Sequence, residues 1–66
     1  MKPKYPEVQV QLSGEDGNAF FIIGRVTRAM RKGGAPEKDC KAFAKEAMSG
    51  NYDNVLRAAM KWVNVS

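Results

Sequence analysis

Phe21, Arg25, Arg28 and Lys32 follow one another at i, i+4, i+7 and i+11, and a helix turning about 100° per residue gathers them into one narrow stripe. An aromatic ring among guanidinium and ammonium groups is the usual chemistry for gripping a base together with a phosphate. Arg31 flanks the stripe, and these five are the expected ligand-binding residues. The cations alone are also compatible with an ordinary solvated face, because exposed Lys and Arg need no special explanation. Phe21 asks for more. A large aromatic on the basic side of an amphipathic helix must be covered by the chain's own N-terminus or third helix, by a second subunit, or by a ligand.

Little else in the chain offers chemistry. There is one cysteine and no histidine, so Cys40 has neither an activating imidazole nor an intrachain disulfide partner, and its place on an apolar stripe makes it a small core residue. Asp39, Glu46 and Asp53 fit helix-start or solvent-face charges and form no paired acid–base motif. Tyr52 and Trp62 fit core aromatics with a hydrogen-bonded polar tip. The glycine-rich segment 14–18 has the look of a phosphate cradle at a helix start. However, Glu15 and Asp16 put negative charge where a phosphate would sit, and the spacing matches neither phosphate-binding fingerprint. Helix capping by Asp16 or Asn18 accounts for the same residues. A binding protein, not an enzyme, is expected, with no cofactor and no metal.

The elements that would position the basic stripe are short. Residues 7–12 alternate strictly and place Val8, Val10 and Leu12 on one face of a half-buried strand. Residues 13–18 make a turn. Ala19, Ile22, Ile23, Val26 and Met30 carry helical spacing through 19–32, with Gly33 and Gly34 as the stop. A competing hairpin would make Phe20 to Ile23 a returning strand. Pro36 suits the first turn of a second helix with an apolar stripe of Cys40, Phe43, Ala44, Ala47 and Met48. Asn51 is a good N-cap for a third, burying Tyr52, Val55, Leu56, Ala59 and Met60. Val63 and Val65 at period two favour a short final strand beside Val8 to Leu12 over a continued helix.

The expected fold is therefore α+β: one small domain over 1–66, ordered strand, helix, helix, helix, short strand, with a two-stranded sheet backed by helices and residues 1–6 as a flexible N-terminal arm. A chain of 66 residues buries only about 60% of its unfolded surface. Disulfides and zinc are ruled out by the Cys and His counts, which leaves self-association as the expected supplement. An open sheet edge is one route to it. Gly24 in mid-helix costs about 1 kcal/mol relative to Ala, so a close approach is expected there, with Phe20, Gly24 and Thr27 as an interface patch. A net charge of +4 favours anionic partners. No stretch approaches the roughly 18 apolar residues of a membrane span, so a cytoplasmic protein without membrane contact is expected.

Read together, DGNAF (16–20), Gly24-Arg25-Val26, EAMSG (46–50), Tyr52-Asp53-Asn54 and WVNV (62–65) resemble a family of short proteins from bacteriophages and bacteria. The resemblance spans nearly the whole chain and brings no catalytic residues. It implies a phage or mobile-element setting, in which proteins this small act by sequestering or inhibiting something, as in anti-defence. The expected function is capture of a phosphorylated, nucleotide-like small molecule at an oligomer interface. The alternatives are a nucleic-acid-binding module and an inhibitor or adaptor that docks an acidic host protein.

Overall fold

The computed structural model describes residues 2–11 and 19–65. Five elements follow in chain order: β1 (Tyr5–Val10), α1 (Ala19–Lys32), α2 (Glu37–Ala47), α3 (Tyr52–Trp62) and β2 (Val63–Val65). β1 and β2 form a two-stranded parallel sheet. α1 packs against β1, α3 leads directly into β2, and the three helices pack on one another. The fold is the expected α+β domain. Leu12, the turn over 13–18 and the capping roles assigned to Asp16 and Asn18 lie outside the described residues.

β1 starts two residues before the expected Glu7, so Tyr5 and Pro6 belong to the strand and not to an N-terminal arm. Its partner residues run Tyr5 with Val63, Gln9 with Asn64 and Val10 with Val65. The pairing is irregular between Tyr5 and Gln9. Pro6 stands in that gap, and a residue with no N–H to give to the ladder is tolerated at such a bulge. The N–H of Lys4 donates to the carbonyl of Lys61 at 2.9 Å, which extends the attachment one residue further.

α1 keeps the bounds its periodicity predicts, and Ile22, Ile23, Val26 and Met30 are its buried stripe. The hairpin alternative is excluded by this helix. Its C-terminus closes with the N–H of Ala35 on the carbonyl of Met30 at 2.9 Å and that of Gly34 on Arg31 at 3.0 Å. Gly34 takes φ +95°, the left-handed residue that a Schellman stop requires. Gly33 is needed for space: a Cβ there would stand 2.7 Å from Val8 Cγ2, so β1 rests on the helix end.

Pro36 precedes α2 as an extended N-cap with ψ 156°, one position earlier than the first helical turn. Cys40, Phe43 and Ala47 are buried, with Ala44 packed at the edge of the core. Met48, expected on that stripe, is 55% exposed, because the helix has already ended at Ala47 and Met48 is its C-cap. Asn51 caps α3 as expected, its side chain accepting the N–H of Asn54 at 3.0 Å. The buried face of α3 is Val55, Ala58 and Ala59, with Tyr52 and Leu56 at its margin and Met60 61% exposed. The stripe is rotated towards Ala58, since two adjacent alanines let α3 approach its neighbours more closely than Met60 would. Phe43, Met30, Val26, Val55, Val63 and Cys40 form the fully buried centre.

Candidate functional site

Along the outer face of α1, Phe20, Phe21, Gly24, Arg25 and Arg28 line an open groove of about 330 Å³. Gly24 is its floor, and among the described residues nothing lies within 4 Å of where a Cβ would stand. The close approach expected at this glycine is therefore not made within the described chain. Phe20 is 74% exposed and Phe21 48%, so no described residue of the N-terminal segment or of the third helix hides Phe21. The Arg25 guanidinium carbon lies 6.0 Å from the centre of the Phe21 ring, a cation–π distance that holds the cation beside the aromatic platform. Arg25 and Arg28 take part in no ion pair among the described residues.

The structure divides the residues that the sequence grouped. Phe21, Arg25 and Arg28 share the groove, and Phe20 and Gly24, expected as interface residues, line it with them. Arg31 is drawn away: its Nε and Nη2 donate to the two carboxylate oxygens of Glu37, each at 2.8 Å. That bidentate pair raises the pKa of Arg31 and lowers that of Glu37, chiefly through the hydrogen bonds between them, and it ties the corner between α1 and α2. Lys32 faces a separate depression of about 230 Å³ with Glu7, Val8, Gln9, Ala29 and Gly33. Thr27 turns back on its own helix and donates to the carbonyl of Gly24 at 3.0 Å. It is half-buried and does not line the groove.

A second polar cluster escaped the sequence reading. Asp39, only 9% exposed, accepts a hydrogen bond from the Tyr5 hydroxyl, and Lys4 Nζ lies 3.5 Å from the same carboxylate. Tyr5 stacks on Trp62 with ring centres 6.4 Å apart, and Lys4 Nζ sits 5.0 Å from the centre of the Trp62 ring. The Tyr5 bond holds the Asp39 pKa down against the opposing effect of burial. The same bond, with burial and the charge of Asp39, pushes the Tyr5 hydroxyl up to about 12. Such a phenol is a weaker proton donor than usual and the carboxylate a weaker base, the reverse of what acid–base catalysis requires. The cluster fastens β1 to α2 and α3.

Glu46 and Asn54 serve the fold in a similar way. Glu46 accepts from Lys61 Nζ at 3.1 Å and from Trp62 Nε1 at 3.3 Å, and these two bonds, with the Lys61 charge, lower its pKa. The Asn54 side-chain amide donates to the carbonyls of Glu46 at 2.8 Å and Ala47 at 3.2 Å, which satisfies the open end of α2. Cys40 is buried with its thiol 3.8 Å from the carbonyl of Thr27, and burial raises its pKa, so it is a core residue and not a nucleophile. Among the described residues no cluster of His, Cys, Asp or Glu could hold a metal ion, and no helix is long and apolar enough to cross a membrane.

No family model, curated protein or solved structure matches the chain. What the α1 groove can do follows from its own geometry: two aromatic rings over a bare helical floor, flanked by guanidinium groups that no described carboxylate neutralises.

Proposed function

We propose that the protein is a non-catalytic binding protein that captures a phosphorylated, nucleotide-like small molecule on the α1 groove, where copies of the chain meet. The observation that carries this reading is the coincidence of Phe20, Phe21, Arg25 and Arg28 around the uncovered floor at Gly24. A base stacks on the Phe21 ring beside Arg25, and phosphate oxygens accept from Arg28 and the outer face of Arg25. Guanidinium suits this role because its planar donors match phosphate oxygens in pairs. The likeness to short phage and bacterial proteins supplies a setting, sequestration of a signal inside a bacterial cell.

The test is titration calorimetry of the full chain against a panel of mono-, di- and cyclic nucleotides, with Arg25→Glu and Arg28→Glu as controls. A hydrogen bond to a charged group contributes about 1.5–3 kcal/mol, so each reversal should weaken binding by roughly ten- to a hundredfold. If no member of the panel binds, the proposal fails. A second reading, single-stranded nucleic acid, has Lys32 in its favour, because that residue continues the Arg25 and Arg28 stripe one turn past the groove. It predicts affinity that falls steeply with salt and a clear loss on Lys32→Ala. A small ligand confined to the groove predicts neither.

A further inference from the structure

α1 and α2 run side by side in opposite directions, and their contacts fix the alignment. Arg31 holds Glu37 with bonds of 2.8 Å, and one turn further along each helix the Cys40 thiol lies 3.8 Å from the carbonyl of Thr27. A turn beyond that, the same alignment sets Gly24 across from Ala44. Lys41 and Lys45 follow Glu37 at i+4 and i+8, which places them on the stripe of α2 that borders this seam. Both are exposed. The Glu37 carboxyl, held low chiefly by its hydrogen bonds to Arg31, also feels the charge of Lys41, in agreement with that placement. On α1, Arg28 and Gly24 precede Arg31 at i−3 and i−7 and border the seam in the same way, so the floor of the groove opens towards α2. The side chains in between are low. Gly24 has none, Thr27 turns its hydroxyl back on the Gly24 carbonyl at 3.0 Å, and Ala44 is a half-buried methyl.

Charge is sorted along the same line. α1 contains no acid, and each acid of α2 is engaged away from the lysines: Glu37 by Arg31, Asp39 by Tyr5 and Lys4, and Glu46 by Lys61 and Trp62. Arg25 and Arg28 on one helix and Lys41 and Lys45 on the other thus carry one sign of charge across helices whose axes stand about 8–10 Å apart. A lone phosphate on the arginines leaves the lysines unused, whereas a chain of phosphates spans the seam. Resting on the proposed function, we infer that the anion track of the groove continues over the α1–α2 seam to Lys41 and Lys45, and that the ligand class is a nucleotide bearing a phosphate chain, a nucleoside triphosphate or longer. The base stacks on Phe21, the first phosphate accepts from Arg25 and Arg28, and the distal phosphates accept from the two lysine Nζ groups. Lysine suits the outer part of the track, because an ammonium on a flexible stem can follow a phosphate chain that the fixed guanidinium fork cannot.

Titration calorimetry on the full chain without magnesium, with AMP, ADP and ATP as probes and Lys41→Gln/Lys45→Gln beside the parent, tests this. Affinity should rise by about tenfold or more from AMP to ATP, as added charge-assisted hydrogen bonds require. The double variant should bind AMP as the parent does and lose most of that gain. Lys2→Gln/Arg57→Gln removes the same charge at exposed positions of the N-terminal segment and α3 and should keep it. Equal binding of AMP and ATP by the parent overturns the track and leaves the proposed function standing. A gain that survives in Lys41→Gln/Lys45→Gln, or that is lost equally in Lys2→Gln/Arg57→Gln, overturns the assignment to the two lysines. Tighter binding of a short oligodeoxyadenylate than of ATP overturns the phosphate chain in favour of a polynucleotide. If no probe binds, both readings fall together.

Discussion

Replacing Gly24 by alanine should stabilise the fold and weaken the binding, and these opposite signs make it the most informative single change. In α1 the residue has no positive φ, since among the described residues only Gly34 does, and an added methyl meets nothing within 4 Å there. A helix-interior glycine costs roughly 0.5–1 kcal/mol relative to alanine, mostly through the extra freedom of the unfolded chain. For a domain of about 60–100 residues, 1 kcal/mol corresponds to roughly 4–8 °C in Tm, so a rise of about 2–8 °C is expected. Thermal melts followed by far-UV circular dichroism at matched concentration measure it. A fall in Tm would refute the reasoning, because it would mean that something rests on the bare face of Gly24 in the folded monomer. Binding by the same variant supplies the other half: filling the floor should lift a bound base off its seat and weaken the best nucleotide of the panel.

Other predictions concern the fastenings of the fold. Phe43 is fully buried at the centre of the core, and Phe43→Ala should cost about 3–5 kcal/mol, enough to leave so small a domain largely unfolded by circular dichroism at room temperature. Asn54→Ala removes the donor to the carbonyls of Glu46 and Ala47 and should cost about 1–2 kcal/mol in urea unfolding, with the helices otherwise intact. Tyr5 has its pKa raised in the folded state from 10.0 to about 12. Its contribution to stability is therefore complete below pH 10 and lost as pH rises towards about 12. Tyr5→Phe should lower stability at neutral pH and remove that part of the alkaline decline, as read from melts across the range. The Asp39 carboxyl, held below its ordinary value, contributes with the opposite sign, and Asp39→Asn should flatten the loss of stability on acidification.

The parts of this architecture governed by local chemistry were legible in the sequence. The bounds of α1 follow from its apolar spacing and its paired glycines, the start of α3 from Asn51, and β2 from Val63 and Val65 at period two. Contacts between distant segments leave no periodic trace. Tyr5 and Asp39 are 34 residues apart, and two prolines beside Tyr5 made its segment look like an arm. Arg31 sits beside the basic stripe, yet Glu37, across the α1 to α2 corner, captures it. How far the buried face of α3 turns depends on how closely its neighbours approach, so Ala58 joins Ala59 in the core and Met60 does not. The groove was half legible. The register of Phe21, Arg25 and Arg28 comes directly from helix geometry, but that the interface residues Phe20 and Gly24 would line the same depression required the structure.

The residues singled out along the chain divide by what they do for the fold. Glu46, Asn51, Asn54 and Trp62 each make hydrogen bonds that join or cap elements, Gly33 makes room for β1, and Gly34 supplies the left-handed turn. Losing any of these should destabilise the protein, so their presence needs no ligand to explain it. Gly24, Arg25 and Arg28 have no comparable duty among the described residues, and Gly24 carries a helical cost of about 1 kcal/mol in a chain near the lower size limit for folding alone. Exposed aromatic surface beside them adds a tendency to associate. Departures from what stability alone would choose are gathered here at one place, as the proposed binding site requires. The expectation they impose is specific: substitutions at the groove should leave the fold as stable or more so and remove binding, whereas substitutions at the Tyr5, Asp39 and Trp62 cluster should lower stability and affect binding only to the extent that the protein unfolds.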